Sequence, residues 1–174
     1  MIPLRGNPLG SGWPKESSCG VFLYSGGNCT SSAFVMRGKR LTTSSTIYPD
    51  GDELQVYNRG KAYDGGVISG GKVEIHSGGY YKHPDIRSDG SMYVYEEGLV
   101  NSAKLSGGVL VLRGGSAMNT SSNKGDFSIQ GGNAENTTLT WATMEVSSGT
   151  ATSTVVNQGG YLQVLSGGTA TNVV

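Results

Sequence analysis

The 174-residue chain has as many basic as acidic side chains, a formal net charge of zero and 15% charged residues. This balance leaves no electrostatic footprint for nucleic acid or an anionic membrane, so we expect no nucleic-acid partner. No apolar run is long enough for a membrane-spanning helix, and the start of the chain lacks the basic and apolar regions of a signal peptide. The 29 glycines do not recur at every third position, which excludes collagen.

The N-terminal segment, residues 1–31, shares no pattern with the rest of the chain. It contains Pro3, Pro8 and Pro14, and two cysteines, Cys19 and Cys29. We interpret this segment as an N-terminal cap, because a stack of repeats would otherwise expose its first apolar layer. A disulfide between Cys19 and Cys29 would pin the cap and place the chain in an oxidising compartment. Two free thiols are the alternative, and a metal site is disfavoured because no histidine lies nearby.

A repeat occupies residues 32–174 and is clearest from position 52. Its period varies between 17 and 19, and each unit carries two apolar residues separated by one residue, then glycine, then a mostly small residue. The first apolar column consists of Leu54, Val73, Met92, Leu110, Phe127, Met144 and Leu162. The glycine column consists of Gly60, Gly79, Gly98, Gly115, Gly132, Gly149 and Gly168. A unit this short cannot bury an apolar face alone, so the units must stack.

Within each unit, apolar and polar residues alternate. Val73 and Ile75 point one way, whereas Lys72, Glu74 and His76 point the other. Such alternation indicates a strand buried on one face, and the glycine pairs that follow indicate sharp corners. The sequence therefore predicts an all-β parallel β-helix, or solenoid, with one coil per unit. Residues 80–89 depart from the small-residue pattern and are predicted to bulge from the rod. The pattern stops at Val174 without a cap, so we interpret the chain as a fragment truncated at its C-terminus.

Acidic residues do not converge in this arrangement. Glu74 and Glu145 share the outward column but lie four coils apart, roughly 20 Å at the usual strand spacing. We interpret them as part of a solvated face and expect no enzyme activity and no cofactor. His76 and His83 are seven residues apart, and we interpret them as surface residues and not as metal ligands.

Serine precedes glycine at several predicted corners. Simple turn chemistry explains these serines. The alternative is a ladder of exposed hydroxyl groups that accept O-linked glycans.

Two segments carry a resemblance to a known family. Residues 155–172 read VVNQGGYLQVLSGGTATN, and residues 107–119 read GGVLVLRGGSAMN. Their unit length, Gly-Gly corner and Gly-Gly-x-Ala-x-Asn tail resemble the passenger repeats of the AIDA-type, TibA-like autotransporter adhesins. The resemblance covers residues 52–174 and excludes residues 1–31.

The resemblance implies a right-handed β-helix that is exported through the periplasm and outer membrane to the bacterial cell surface. It implies self-association with other copies, biofilm formation and attachment to a host-cell receptor or glycan. It also implies O-heptosylation on Ser and Thr by a dedicated heptosyltransferase. Our candidate acceptors are Ser69, Ser77, Ser106, Ser116, Ser148, Ser166 and Thr169. The alternatives are a carbohydrate-active β-helix, such as a polysaccharide lyase or phage-tail depolymerase, and a structural spacer.

Overall fold

The chain forms β-strands in a computed structural model that describes residues 53–67 and 70–174, and the backbone of four strands before them. In chain order, the strands are β1 (Val21–Leu23), β2 (Ala33–Val35), β3 (Arg40–Thr42), β4 (Thr46–Ile47), β5 (Glu53–Val56), β6 (Lys61–Val67), β7 (Lys72–Ile75), β8 (Tyr80–Arg87), β9 (Ser91–Tyr95), β10 (Leu99–Asn101), β11 (Lys104–Ser106), β12 (Val109–Arg113), β13 (Ser116–Met118), β14 (Ser121–Asn123), β15 (Asp126–Thr140), β16 (Thr143–Val156), β17 (Tyr161–Val164) and β18 (Gly168–Val173). None of the described elements is a helix that could cross a membrane.

Each strand pairs in parallel with its equivalent one coil later. Lys72 of β7 lies opposite Glu53 of β5 and Ser91 of β9, and the register continues through Val109 and Asp126. The spacing of these paired residues along the chain matches the period of the sequence repeat. The predicted parallel β-helix is confirmed.

Each complete coil in the described range has three sides. The first sheet contains β5, β7, β9, β12, the starts of β15 and β16, and β17. The second contains the starts of β6 and β8, then β10, β13, the middles of β15 and β16, and β18. The third contains the ends of β6 and β8, then β11, β14 and the ends of β15 and β16. We call the corners first, second and third in the order in which the chain meets them after each first-sheet strand.

The core is a stack of apolar layers, one per coil. The predicted inward columns are buried through Met144 and Val146, and the small column is buried from Ala62 to Ala151. Burying a large aliphatic side chain stabilises the fold by about 1.5–3 kcal/mol. The last coil is less covered, and Val164 is 43% exposed.

The glycine column is explained by contact between coils. A Cβ at Gly79 would lie 2.4 Å from the carbonyl oxygen of Val56, and one at Gly115 would lie 2.5 Å from that of Tyr95. Since real Cβ atoms essentially never come within 3.0 Å of another heavy atom, only glycine lets the next coil stack at this corner.

At the second corner the left-handed residue is not glycine. At this corner each coil has a residue with positive φ, in the left-handed region: Asp64, His83, Ser102, Asn119, Asn136, Ser153 and Asn172. Asn, Asp and His tolerate this conformation better than most residues. Side-chain amides reinforce the corner, because Asn119 donates to Asn101 at 3.1 Å and Asn136 donates to Asn119 at 3.3 Å.

Two expectations about the surface were wrong. Residues 80–89 do not bulge, since β8 runs from Tyr80 to Arg87 and pairs in register with β6, β10 and β11. The outward face of the first sheet is not uniformly solvated either. Glu74 is 9% and Val111 is 7% exposed.

Several expectations fall outside the described residues. These are the pairing of Cys19 with Cys29, the environment of Ser69, and most of the predicted cap at residues 1–31. Within that segment the described backbone of β1 pairs in parallel with β2.

Candidate functional site

The serines that precede glycine do not form a single ladder. Ser77, Ser148 and Ser166 lie at the first corner, and all three are exposed. Ser77 donates a hydrogen bond to the Glu97 carboxylate at 2.6 Å. Because a hydroxyl group must be accessible to accept a sugar, these three positions remain suitable.

Ser106 lies at the third corner instead. It is half-buried, and its Oγ donates to the Asp85 carboxylate at 3.2 Å. The sequence signal misled here because serine before glycine marks the first and third corners alike. Ser106 is therefore a poorer candidate than the serines of the first corner.

A denser set of hydroxyl groups lies on the outer face of the second sheet. Ser116, Thr150 and Thr169 occupy the same register position, and Asn133, which has no hydroxyl group, holds that position in the coil between Ser116 and Thr150. Two residues further along, Thr152 lies opposite Thr171 in the same register. Ser116 and Thr150 are half-exposed, and Thr169 and Thr171 are exposed. We call the hydroxyl-bearing residues of this face the hydroxyl column. It consists of the predicted Ser116 and Thr169 and of Thr150, Thr152 and Thr171.

Sequence reasoning missed three of these threonines. Alternation around the inward residues Ala151 and Ala170 would have placed Thr150, Thr152 and Thr171 on the outer face.

In the first described coils, the outer face of the first sheet carries a stack of aromatic rings. The rings of Tyr57, His76 and Tyr95 stack along three successive coils, with centroids 4.4 Å and 5.2 Å apart and nearly parallel planes. Beside them, the Arg113 guanidinium lies 4.9 Å from the Tyr93 ring centroid. Stacked rings at strand spacing stabilise the face on which they lie.

Glu74 is the buried acid of this stack. Its carboxylate is 2.7 Å from Lys72 Nζ and accepts a 3.0 Å hydrogen bond from the Tyr95 hydroxyl. Burial alone would raise the pKa of Glu74, but the hydrogen bonds from Lys72 and Tyr95 and the charges of Lys72 and His76 outweigh it, so that pKa is lowered. Burial, followed by the hydrogen bond to Glu74, raises the pKa of Tyr95. Glu74 is therefore an ionised structural group tied to its neighbours.

The other titratable candidates stay apart. Glu145 lies four coils from Glu74 along the same column, about 19 Å at the usual strand spacing. His83 lies at the second corner, 3.0 Å from the Asp64 carboxylate, whereas His76 is in the stack near the first corner. In the part of the chain that is described, no three His, Cys, Asp or Glu side chains are grouped to hold a metal ion.

No protein-family model matches the chain, and a search of curated proteins finds no match. Among solved structures, the chain is similar to a hyper-glycosylated fragment of TibA whose glycosylation is catalysed by TibC. The TM-score is 0.77 and the sequence identity 30%, over 88% of this chain and 57% of that one. The present chain thus spans little more than half of the structure that it matches. The predicted likeness to a TibA-like autotransporter passenger is confirmed.

Proposed function

We propose that this chain is a non-enzymatic segment of a bacterial surface adhesin whose rod displays O-linked sugars on serine and threonine. The observation that carries the proposal is the hydroxyl column on the second sheet. Ser116, Thr150 and Thr169 lie in the same register at a spacing of about 4.8 Å per coil. A glycosyltransferase that recognises the hydroxyl group at one of these three positions would meet the same backbone geometry at the other two, whereas Asn133, Leu99, Tyr80 and Lys61 hold the equivalent position in the remaining described coils.

The resemblance to a protein that is itself glycosylated supports this proposal. The TibA fragment is hyper-glycosylated in a TibC-catalysed reaction, and its structure matches 88% of this chain with a TM-score of 0.77. We propose a heptosyltransferase of the TibC type as the modifying enzyme and the cell surface as the location.

Sugars on adjacent coils would make the rod a multivalent surface. Many weak contacts between two rods, or between a rod and a host-cell receptor or glycan, add up through effective concentration. We propose self-association, biofilm formation and host-cell attachment on this basis.

The intact mass of the chain, expressed with and without a TibC-type transferase, tests the acceptor function. We expect several sugar-sized increments with the transferase and none without it. Absence of increments when both proteins are present and folded would contradict the proposal.

Two sets of substitutions locate the acceptors. In one variant, the hydroxyl column is replaced by alanine at Ser116, Thr150, Thr152, Thr169 and Thr171. In the matched control, the same change is made at the first corner, at Ser77, Ser148 and Ser166. We expect the column variant to lose the larger share of the added mass. If the column variant carried as much added sugar as the wild type, the hydroxyl column would not be the acceptor site.

Attachment and self-association need their own measurement. Settling of cells that display the glycosylated and the unglycosylated rod compares the two forms directly. Deleting two whole coils separates a self-associating surface from a spacer, because a spacer keeps its settling activity when it is shortened.

A further inference from the structure

Trp141 is an exception at the third corner. It lies between β15 and β16, its φ is 52° and its side chain is 55% exposed. The left-handed residues at the same corner of the other described coils are glycine or charged: Gly70, Asp89, Gly107, Lys124 and Gly159. A bulky residue with positive φ is sterically unfavourable, and more than half of this side chain remains exposed. Such local conflicts concentrate at functional positions.

The neighbouring coil holds the indole in place. A Cβ at Gly159 would lie 2.1 Å from Cε3 of Trp141 and 2.6 Å from Cδ2, so the ring rests against the glycine backbone. The Trp141 backbone N–H donates to the Gln158 carbonyl at 3.1 Å. The ring is thus seated on the next coil before any ligand arrives.

Polar residues occupy positions next to this corner on the same and neighbouring coils. Asn123 and Thr140 are paired in register on the third sheet, and Asn157 donates to the Thr140 hydroxyl at 3.4 Å. On the other side of the corner, Tyr161 is 56% exposed, and its backbone N–H donates to the Ala142 carbonyl at 2.9 Å. Among the phenylalanine, tyrosine and tryptophan side chains in the described part of the chain, Trp141 and Tyr161 are the two that are exposed.

The two charged side chains near the corner have opposite signs. Lys124 and Asp126 lie one coil before Trp141, on the two sides of Gly125, and both are exposed. A strongly anionic or cationic ligand would gain little from such a pair, whereas a neutral ligand with many hydroxyl groups would find amide and hydroxyl partners.

We infer that Trp141 is a stacking platform for a pyranose ring of a neutral glycan, with the amides and hydroxyls around it binding the sugar's hydroxyl groups. The C–H face of a pyranose bears partial positive charge and fits the electron-rich face of an indole. The inference names a contact for the attachment function proposed above and rests on that part of it, but it does not depend on the hydroxyl column. The same sugar chemistry could come from a host surface or from a second, glycosylated copy.

Titration of the unglycosylated chain with cellotetraose, maltotetraose or lacto-N-tetraose tests the platform, with the indole N–H resonance of Trp141 as readout. The chain has one other tryptophan, Trp13, whose resonance serves as the internal comparison. We expect the Trp141 resonance to shift with at least one of the three sugars. No shift with any of them would overturn the inference for free glycans.

Three variants provide the controls. Their affinities for the same sugars are compared with that of the wild type by isothermal titration calorimetry, because two of the variants lack the Trp141 indole. Trp141→Asn should weaken binding by about tenfold or more, because an aromatic anchor contributes much of the binding energy at such a site. Its unfolding midpoint should equal or exceed that of the wild type, since asparagine accommodates positive φ. Trp141→Phe should retain most of the binding, and Ser116→Ala should bind like the wild type. Unchanged affinity of Trp141→Asn would overturn the inference.

Sedimentation of the glycosylated chain separates the two sources of sugar. If the ligand is carried by a second copy, the glycosylated wild type should self-associate and glycosylated Trp141→Asn should remain monomeric. If free oligosaccharides bind and the glycosylated chain does not self-associate, the host surface is the source. If no free oligosaccharide binds and the glycosylated chain does not self-associate, Trp141 is not a sugar-binding platform. Sugar-sized increments in the intact mass would still support the acceptor function.

Discussion

Replacing Gly115 by alanine tests the way in which the coils stack. The new Cβ would lie 2.5 Å from the Tyr95 carbonyl oxygen and 2.5 Å from Val94 Cγ1, where ordinary contact begins at 3.4 Å. The coil below would have to move by about 0.9 Å, roughly a fifth of the spacing between strands. Such a movement would stretch the 2.9 Å bond from the Ser116 N–H to the Gly98 carbonyl.

The free energy of unfolding should fall by about 2–4 kcal/mol. Overpacking costs about 1–3 kcal/mol, and one or two weakened backbone hydrogen bonds cost about 1 kcal/mol each. Reduced freedom of the unfolded chain offsets about 0.4–1 kcal/mol. For a chain of this length, that corresponds to a melting temperature about 5–15 °C lower.

The adjacent Gly114 provides a matched control. Its φ is +96°, but a Cβ there would come no closer than 3.3 Å to Glu96. Gly114→Ala therefore carries backbone strain of about 1–2 kcal/mol without the clash, partly offset in the unfolded state. Far-ultraviolet circular dichroism during urea titration compares the two variants. If Gly115→Ala were no less stable than Gly114→Ala, close contact between coils would not explain the glycine column.

Three further predictions concern the core, the outer face of the first sheet and the second corner. Thr137 has a buried hydroxyl with no hydrogen-bond partner. Thr137→Val should therefore raise the free energy of unfolding, measured in urea, by about 1 kcal/mol. A variant less stable than the wild type by that amount would contradict this prediction. Because the pKa of Glu74 is lowered in the folded state, the ionised carboxylate stabilises the fold above the unfolded pKa of 4.5. This stabilisation is lost as pH falls through the folded pKa. Acid titration of Glu74→Gln should therefore show a flatter stability profile than the wild type below that pH, and identical profiles would exclude the effect. At the second corner, Asn119→Ala should cost about 1 kcal/mol and Asn119→Gly less, because only alanine is strained at positive φ; thermal melts compare the two, and equal losses would contradict this.

Much of the fold follows from periodicity in the sequence. The inward columns that begin at Leu54 and Val56, and the glycine column at the first corner, were all visible because each coil repeats the same residue type. The second corner was only partly visible. Asn119 and Asn172 end the Gly-Gly-x-Ala-x-Asn tail, but Asp64 and His83 share their backbone conformation and not their residue type, so no single column of letters marks the corner.

The surface is harder to predict, because it depends on which side chains meet across coils. Glu74 alternates outward like a solvated residue, yet it is covered by Tyr95 from the next coil and by Lys72 from its own strand. Ser77 and Ser106 share a local motif but lie at different corners, and coils of unequal length bring together side chains whose register a single unit does not reveal. The hydroxyl column emerges only when the coils are aligned.

Site-resolved mass spectrometry of the chain glycosylated by a TibC-type transferase tests the central claim most directly. We predict sugars that recur in register on the outer face of the second sheet, at Ser116, Thr150 and Thr169. Sugars confined to residues outside the hydroxyl column, or no sugars on a folded chain, would contradict it.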